Sequence, residues 1–99
     1  MATSNHAVNG LIESIQFDST GTFDMGASGK RMRLRLEISA SASVVIKARA
    51  SADETWETIS EEPFTATGTL NIYSYGFTSV RIEATIASGT VNAYLSPLN

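Results

Sequence analysis

An all-β fold of two antiparallel sheets packed face to face is what this 99-residue chain predicts. Three observations predict it. Apolar residues recur with a period of two, so that each segment has one face to bury. β-branched and aromatic residues crowd those segments. Short connections carrying Gly, Ser, Thr and Asp separate them, and no segment longer than about five residues has helical periodicity.

The pattern predicts eight strands, near residues 11–17, 21–25, 31–39, 43–50, 55–60, 64–73, 79–87 and 90–96. In the third, Met32, Leu34, Leu36 and Ile38 alternate with Arg31, Arg33, Arg35 and Glu37. In the fourth, Val44, Ile46, Ala48 and Ala50 alternate with Val45, Lys47 and Arg49. Val80, Ile82, Ala84 and Ile86 against Arg81, Glu83 and Thr85 make the seventh, and Val91, Ala93 and Leu95 against Asn92 and Tyr94 the last. Ser19-Thr20-Gly21, Gly26-Ala27-Ser28-Gly29, Asp53-Glu54 and Ser88-Gly89 are the turn candidates, with Gly89 supplying a positive φ in a two-residue hairpin. Pro63 and Pro97 fall near strand ends, where a missing N–H does least damage.

Strands with one apolar face each are buried most economically in a β-sandwich of the jelly-roll or immunoglobulin-like kind, with a closed barrel as the alternative. Leu36, Ile46, Ile82 and Val91 are expected in the core. Residues 1–10 carry no strand signal and read as a flexible N-terminal arm before a single domain over 11–99. That arm is polar, without the basic start and apolar stretch of a signal peptide, and no run reaches the ~18–20 apolar residues of a membrane span.

Catalytic chemistry has few carriers here. The chain has no cysteine, and its one histidine, His6, lies in the arm. No Gly-x-Ser-x-Gly elbow is present. Glu37 and Glu83, on outward faces, are a conceivable carboxylate pair but read better as partners of Arg35, Lys47 and Arg81. Asp18, Asp24, Asp53, Glu61 and Glu62 do not form a calcium loop, and neither metal nor cofactor is expected. A net charge of −3 argues against nucleic acid as a partner.

Three features stand out instead. Lys30, Arg31, Arg33 and Arg35 form a basic row on one strand, with Lys47, Arg49 and Arg81 expected beside it on the same sheet. Asp53, Glu54, Glu57, Glu61 and Glu62 form an acidic cluster within ten residues. Tyr73, Tyr75 and Phe77 share one parity, with Trp56 apart; Trp56 and Phe77 are expected in the core, with one or both tyrosines capping it, hydroxyls toward water. Basic and acidic patches on one small domain suit head-to-tail contacts between identical copies, so Arg31, Arg33, Arg35, Asp53, Glu54, Glu57, Glu61 and Glu62 are the candidate protein-interface residues. Only 17% of residues are charged, against a usual ~25%, and small hydroxyl residues suit close packing against neighbours.

The second half also carries a family-like pattern. It runs Val44-Val45-Ile46-Lys47-Ala48-Arg49-Ala50-Ser51-Ala52-Asp53-Glu54-Thr55-Trp56, then Gly68-Thr69-Leu70-Asn71-Ile72, Gly76-Phe77-Thr78-Ser79-Val80-Arg81-Ile82 and Ser88-Gly89. Over about 50 residues this resembles small β-sandwich modules of tailed-bacteriophage structural proteins: a strand, a Ser-x-Asp hairpin tip, a Trp, then a Phe before a Val-Arg-Val-like strand and a Ser-Gly turn. Sugar-binding sandwiches share pieces of the pattern. Ser51 to Trp56 is similar to an Asp-box without the glycine between Asp and Thr. The resemblance implies a virion structural protein at the capsid surface. The form expected is a decoration (cement) protein that is not an enzyme and stabilises the head by adhesion between subunits. Its partners would be the major capsid protein or other virion proteins, and copies of itself, with a trimer favoured. A carbohydrate- or receptor-binding module of a tail fibre or secreted protein is the alternative.

Overall fold

The computed structural model describes residues 12–26, 31–73 and 76–97. The arm with His6, the turn residues Ala27 to Gly29, Lys30 and Tyr75 lie outside them. The described chain is all-β: β1 (Glu13–Phe17), β2 (Gly21–Gly26), β3 (Met32–Ile38), β4 (Ser41–Arg49), β5 (Glu57–Thr58), β6 (Gly68–Ile72), β7 (Ser79–Ser88) and β8 (Val91–Pro97). They form two antiparallel four-stranded sheets, one ordered β1-β8-β3-β6 and the other β2-β7-β4-β5. The pairs β1–β8, β2–β7, β3–β6 and β4–β5 are nested one within another. That nesting is the winding of a jelly roll, which decides against the immunoglobulin-like and barrel alternatives.

Period two produces this arrangement directly. On β3 the residues Met32, Leu34 and Leu36 are fully buried while Arg33, Arg35 and Glu37 are exposed. Leu36, Ile46, Ile82 and Val91 are all at 0% exposure, as their alternation predicts. Burying a side chain of that size contributes roughly 1.5–3 kcal/mol. The core draws on both sheets: Leu34, Leu95 and Ile72 from one, Val44, Val80 and Met25 from the other.

Every connection except that from β4 to β5 passes from one sheet to the other. Ser88-Gly89 is therefore not a hairpin turn but a corner, taking the chain from β7 into the opposite sheet. Gly89 has the expected positive φ, 84°. A Cβ there would overlap the Ser39 carbonyl oxygen and come within 2.8 Å of the Ala40 Cβ. The β3–β4 corner is packed against it: Ser39 N donates to Thr90 O at 3.0 Å, and Thr90 N to Ser39 Oγ at 2.9 Å.

The single strand expected over 64–73 is two pieces in different sheets. Phe64 bridges Val44 in one, and Gly68–Ile72 pairs with β3 in the other. Hydroxyl side chains satisfy the backbone at such crossings. Ile86 N donates to Thr20 Oγ1 at 2.9 Å, Ile38 N to Thr67 Oγ1 at 2.9 Å, and Ile46 N to Ser60 Oγ at 3.2 Å. Thr78 Oγ1 donates to Ala50 O at 2.9 Å. Part of the Ser/Thr content thus closes this chain's own corners.

Candidate functional site

The sandwich has two outer faces, and the basic residues are divided between them. Arg33 and Arg35 lie on β3, in the β1-β8-β3-β6 sheet. Lys47 and Arg49 on β4 and Arg81 on β7 belong to the other sheet. The single basic face expected from the sequence therefore does not form. Alternation tells which side of a strand a residue occupies but not which sheet the strand joins. Glu37 and Glu83 are separated in the same way and make no carboxylate pair.

On the β2-β7-β4-β5 face the charges satisfy one another. Register sets Asp24 opposite Arg81 and Lys47 opposite Arg81 from the other side. Arg81 forks onto Asp24, with Nε to Oδ1 at 2.7 Å and Nη2 to Oδ2 at 3.0 Å. That hydrogen bond holds the Asp24 carboxyl below the usual carboxylate range, partial burial opposing it and the charges of Arg81 and Arg49 adding to it. Lys47 Nζ sits 3.1 Å from Glu83 Oε1. Trp56 joins this network instead of the core. The Arg49 and Arg81 guanidinium carbons lie 4.2 and 4.3 Å from its ring centre, in cation–π range. Arg49 Nε is buried there with no acceptor. The signal for this placement was present in the sequence: a hairpin turning through Ala52-Asp53 sets Trp56 opposite the outward Arg49.

The β1-β8-β3-β6 face is open. The cross-strand neighbours of Arg33 are Ser96 and Asn71, and those of Arg35 are Tyr94 and Thr69. None carries a charge. Among the described residues Arg35 reaches its strand neighbour Glu37, at 3.9 Å with both side chains 48% exposed, and Thr69 Oγ1 at 3.5 Å. Arg33 makes no ion pair among the described residues. Arg31 precedes β3 and is exposed. Tyr94 lies beside Glu37, with Oη donating to Oε1 at 3.4 Å. Burial first, then the charge and hydrogen bond of Glu37, raises the Tyr94 hydroxyl above its ordinary value.

The acidic cluster also divides. Asp53 and Glu54 are at the β4–β5 hairpin tip, where Ala50 N donates to Glu54 Oε1 at 2.8 Å and Asp53 N to Ser51 Oγ at 3.2 Å. Glu57, Glu61 and Glu62 instead border a groove between the β5 and β6 edges of the two sheets. Its two lobes, of about 380 and 470 Å³, share Ile59, Leu70 and Asn71 as walls, with Phe77 in one and Phe64 in the other. Phe77 is half-buried against the core, so its expected place is nearly met. Tyr73 at the groove mouth is 61% exposed, its Oη accepting from Asn71 Nδ2 at 3.2 Å.

Among the described residues no group of His, Cys, Asp and Glu is placed to hold a metal ion, and no helix is long and apolar enough to cross a membrane. The surfaces on offer are an open cationic face, an acidic hairpin tip and a groove whose wall mixes apolar and polar side chains under an acidic rim. Comparison of the chain with protein-family models, with curated proteins and with solved structures found no match.

Proposed function

We propose that this chain is an adhesive structural protein of a tailed-phage virion, a decoration protein that binds capsid neighbours and copies of itself. The observation that carries the reading is the segregation of charge. Arg33 and Arg35 stand on a face whose cross-strand partners are neutral, while Asp53 and Glu54 lie at the tip of a hairpin belonging to the opposite sheet. Complementary patches on separate surfaces are satisfied by a neighbour, and a heterologous contact repeated about an axis closes into a ring. Rim charges orient such contacts; hydroxyl and apolar area supplies most of the affinity. The resemblance of the second half of the chain to phage sandwich modules is what suggests the virion setting. Mass spectrometry and electron cryomicroscopy of purified particles from the source test it. The expected result is this chain in stoichiometric amount on the head surface; particles that lack it overturn the proposal.

A second reading has one observation in its favour. Tyr73, exposed beside Asn71 over the groove, has the form of a sugar-stacking platform. A glycan array separates the two readings: selective glycan binding lost in Tyr73→Ala favours the carbohydrate module.

A further inference from the structure

Sheet edges invite another strand unless charge, proline, a bulge or a neighbour blocks them. The edges here are β1, β2, β5 and β6. β1 and β2 lie together, with Gly26 N donating to Glu13 Oε1 at 3.3 Å, and β2 carries Asp24. β5 pairs over only two residues, is followed by Glu61, Glu62 and Pro63, and its side of the sheet resumes pairing at Phe64. Among the described residues β6 has no such protection. It is Gly68-Thr69-Leu70-Asn71-Ile72, uncharged and free of proline, in unbroken register with β3 from Leu36↔Gly68 to Met32↔Ile72.

We propose that the β6 edge takes an extended segment of a partner protein as a fifth strand of its sheet. The segment has apolar residues facing the groove, flanked on the same side by lysine or arginine. The inference rests on the adhesive reading above and names the chemistry of the partner at this edge. Main-chain pairing to β6 supplies the affinity. Side chains of one parity then face the groove and pack on Ile59, Leu70 and Phe77, the apolar part of its wall. A basic residue at either end lays its stem on that wall and brings its head to Glu57, Glu61 or Glu62. The same acidic rim argues against a second copy pairing β6 to β6, which brings two sets of carboxylates together.

The test uses the full chain, isotope-labelled, and the peptide acetyl-Lys-Thr-Val-Thr-Val-Thr-Lys-amide. Expected are saturable amide shifts centred on residues 68–72, and none with glutamate in place of both lysines. N-methylating the valines or the threonines should abolish binding for one set and spare it for the other, since only alternate residues of an added strand bond to β6. Glu61→Lys with Glu62→Lys, both at exposed positions, should weaken binding about tenfold. No shift in residues 68–72 at millimolar peptide overturns the proposal. So does equal loss from both N-methylated sets, indifference to the rim variants, or a peptide-free dimer whose interface is β6. Because the peptide is free, finding the chain absent from particles would leave this result standing, and failure of the peptide would leave the virion reading intact.

Discussion

The two outer faces of the sandwich are built from the same sequence device, basic residues at alternate positions of a strand, and they come out opposite. On the β2-β7-β4-β5 face each cation has a use within the molecule: Lys47 on Glu83, Arg81 on Asp24, Arg49 stacked on Trp56. On the β1-β8-β3-β6 face Arg33 and Arg35 look across the ladder to Ser, Asn, Tyr and Thr, and Arg35 has a long, exposed contact with Glu37 of its own strand. The difference lies in what stands one strand away. A cross-strand acid or aromatic makes a charge part of the scaffold, and neutral neighbours leave it for a partner.

The largest effect should come from the far side of the open strand. Leu36, at 0% exposure, should lose ~2–5 kcal/mol on change to Ala, measured by denaturant unfolding. Arg33→Ala on the same strand should stay within ~0.5 kcal/mol. A comparable loss from both would show that Arg33 is held internally after all.

Gly89→Ala tests the corner that separates the two sheets. With φ at 84° and the Ser39 carbonyl in the way of a Cβ, a loss of ~1–3 kcal/mol is expected by thermal melting. An unchanged melting temperature would contradict the close packing of the two corners.

Trp56→Ala should destabilise by ~1–2 kcal/mol, the value of two cation–π contacts at a half-buried site. A loss near that of a core aromatic, ~3–5 kcal/mol, would return Trp56 to the core.

The smallest effect is pH-dependent. The Asp24 carboxyl is depressed in the folded chain, so its contribution is present above the unfolded value of ~3.9 and is lost as pH falls through the lower folded value. Because Asp24 is 46% exposed, Asp24→Asn should cost under ~1 kcal/mol at neutral pH. Unfolding curves of the two proteins should converge in acid. A gap that persists below the folded value would assign the effect to something other than ionisation.

Much of the fold was legible because alternation is a local property. β3, β4, β7 and β8 sit close to where their period places them, and the four expected core residues are buried. What alternation does not encode is partnership. β3 and β4 are joined through Ser39 and Ala40 and read alike, yet they enter opposite sheets, which is why Lys47, Arg49 and Arg81 were expected beside Arg33 and Arg35. The Phe64 to Tyr73 run hid a sheet crossing for the same reason. Trp56 departs from the core, where size alone would place it, because two guanidiniums supply it with a cover on the outer face. The acidic cluster was visible as composition. Its division into a hairpin tip and a groove rim depends on the chain crossing from one sheet to the other between β5 and β6.

The most direct test of the open cationic face is sedimentation velocity at low and physiological salt. It compares the wild type, Arg33→Glu with Arg35→Glu, and a chain that adds Asp53→Lys and Glu54→Lys to that pair. The wild type should self-associate, more strongly at low salt, where screening is weaker and charges act beyond the ~8 Å of physiological buffer. The double variant should sediment as a monomer, and the four-site charge swap should recover association. A wild type that stays monomeric at high concentration, or an oligomer indifferent to salt and to both sets of reversals, would contradict the account.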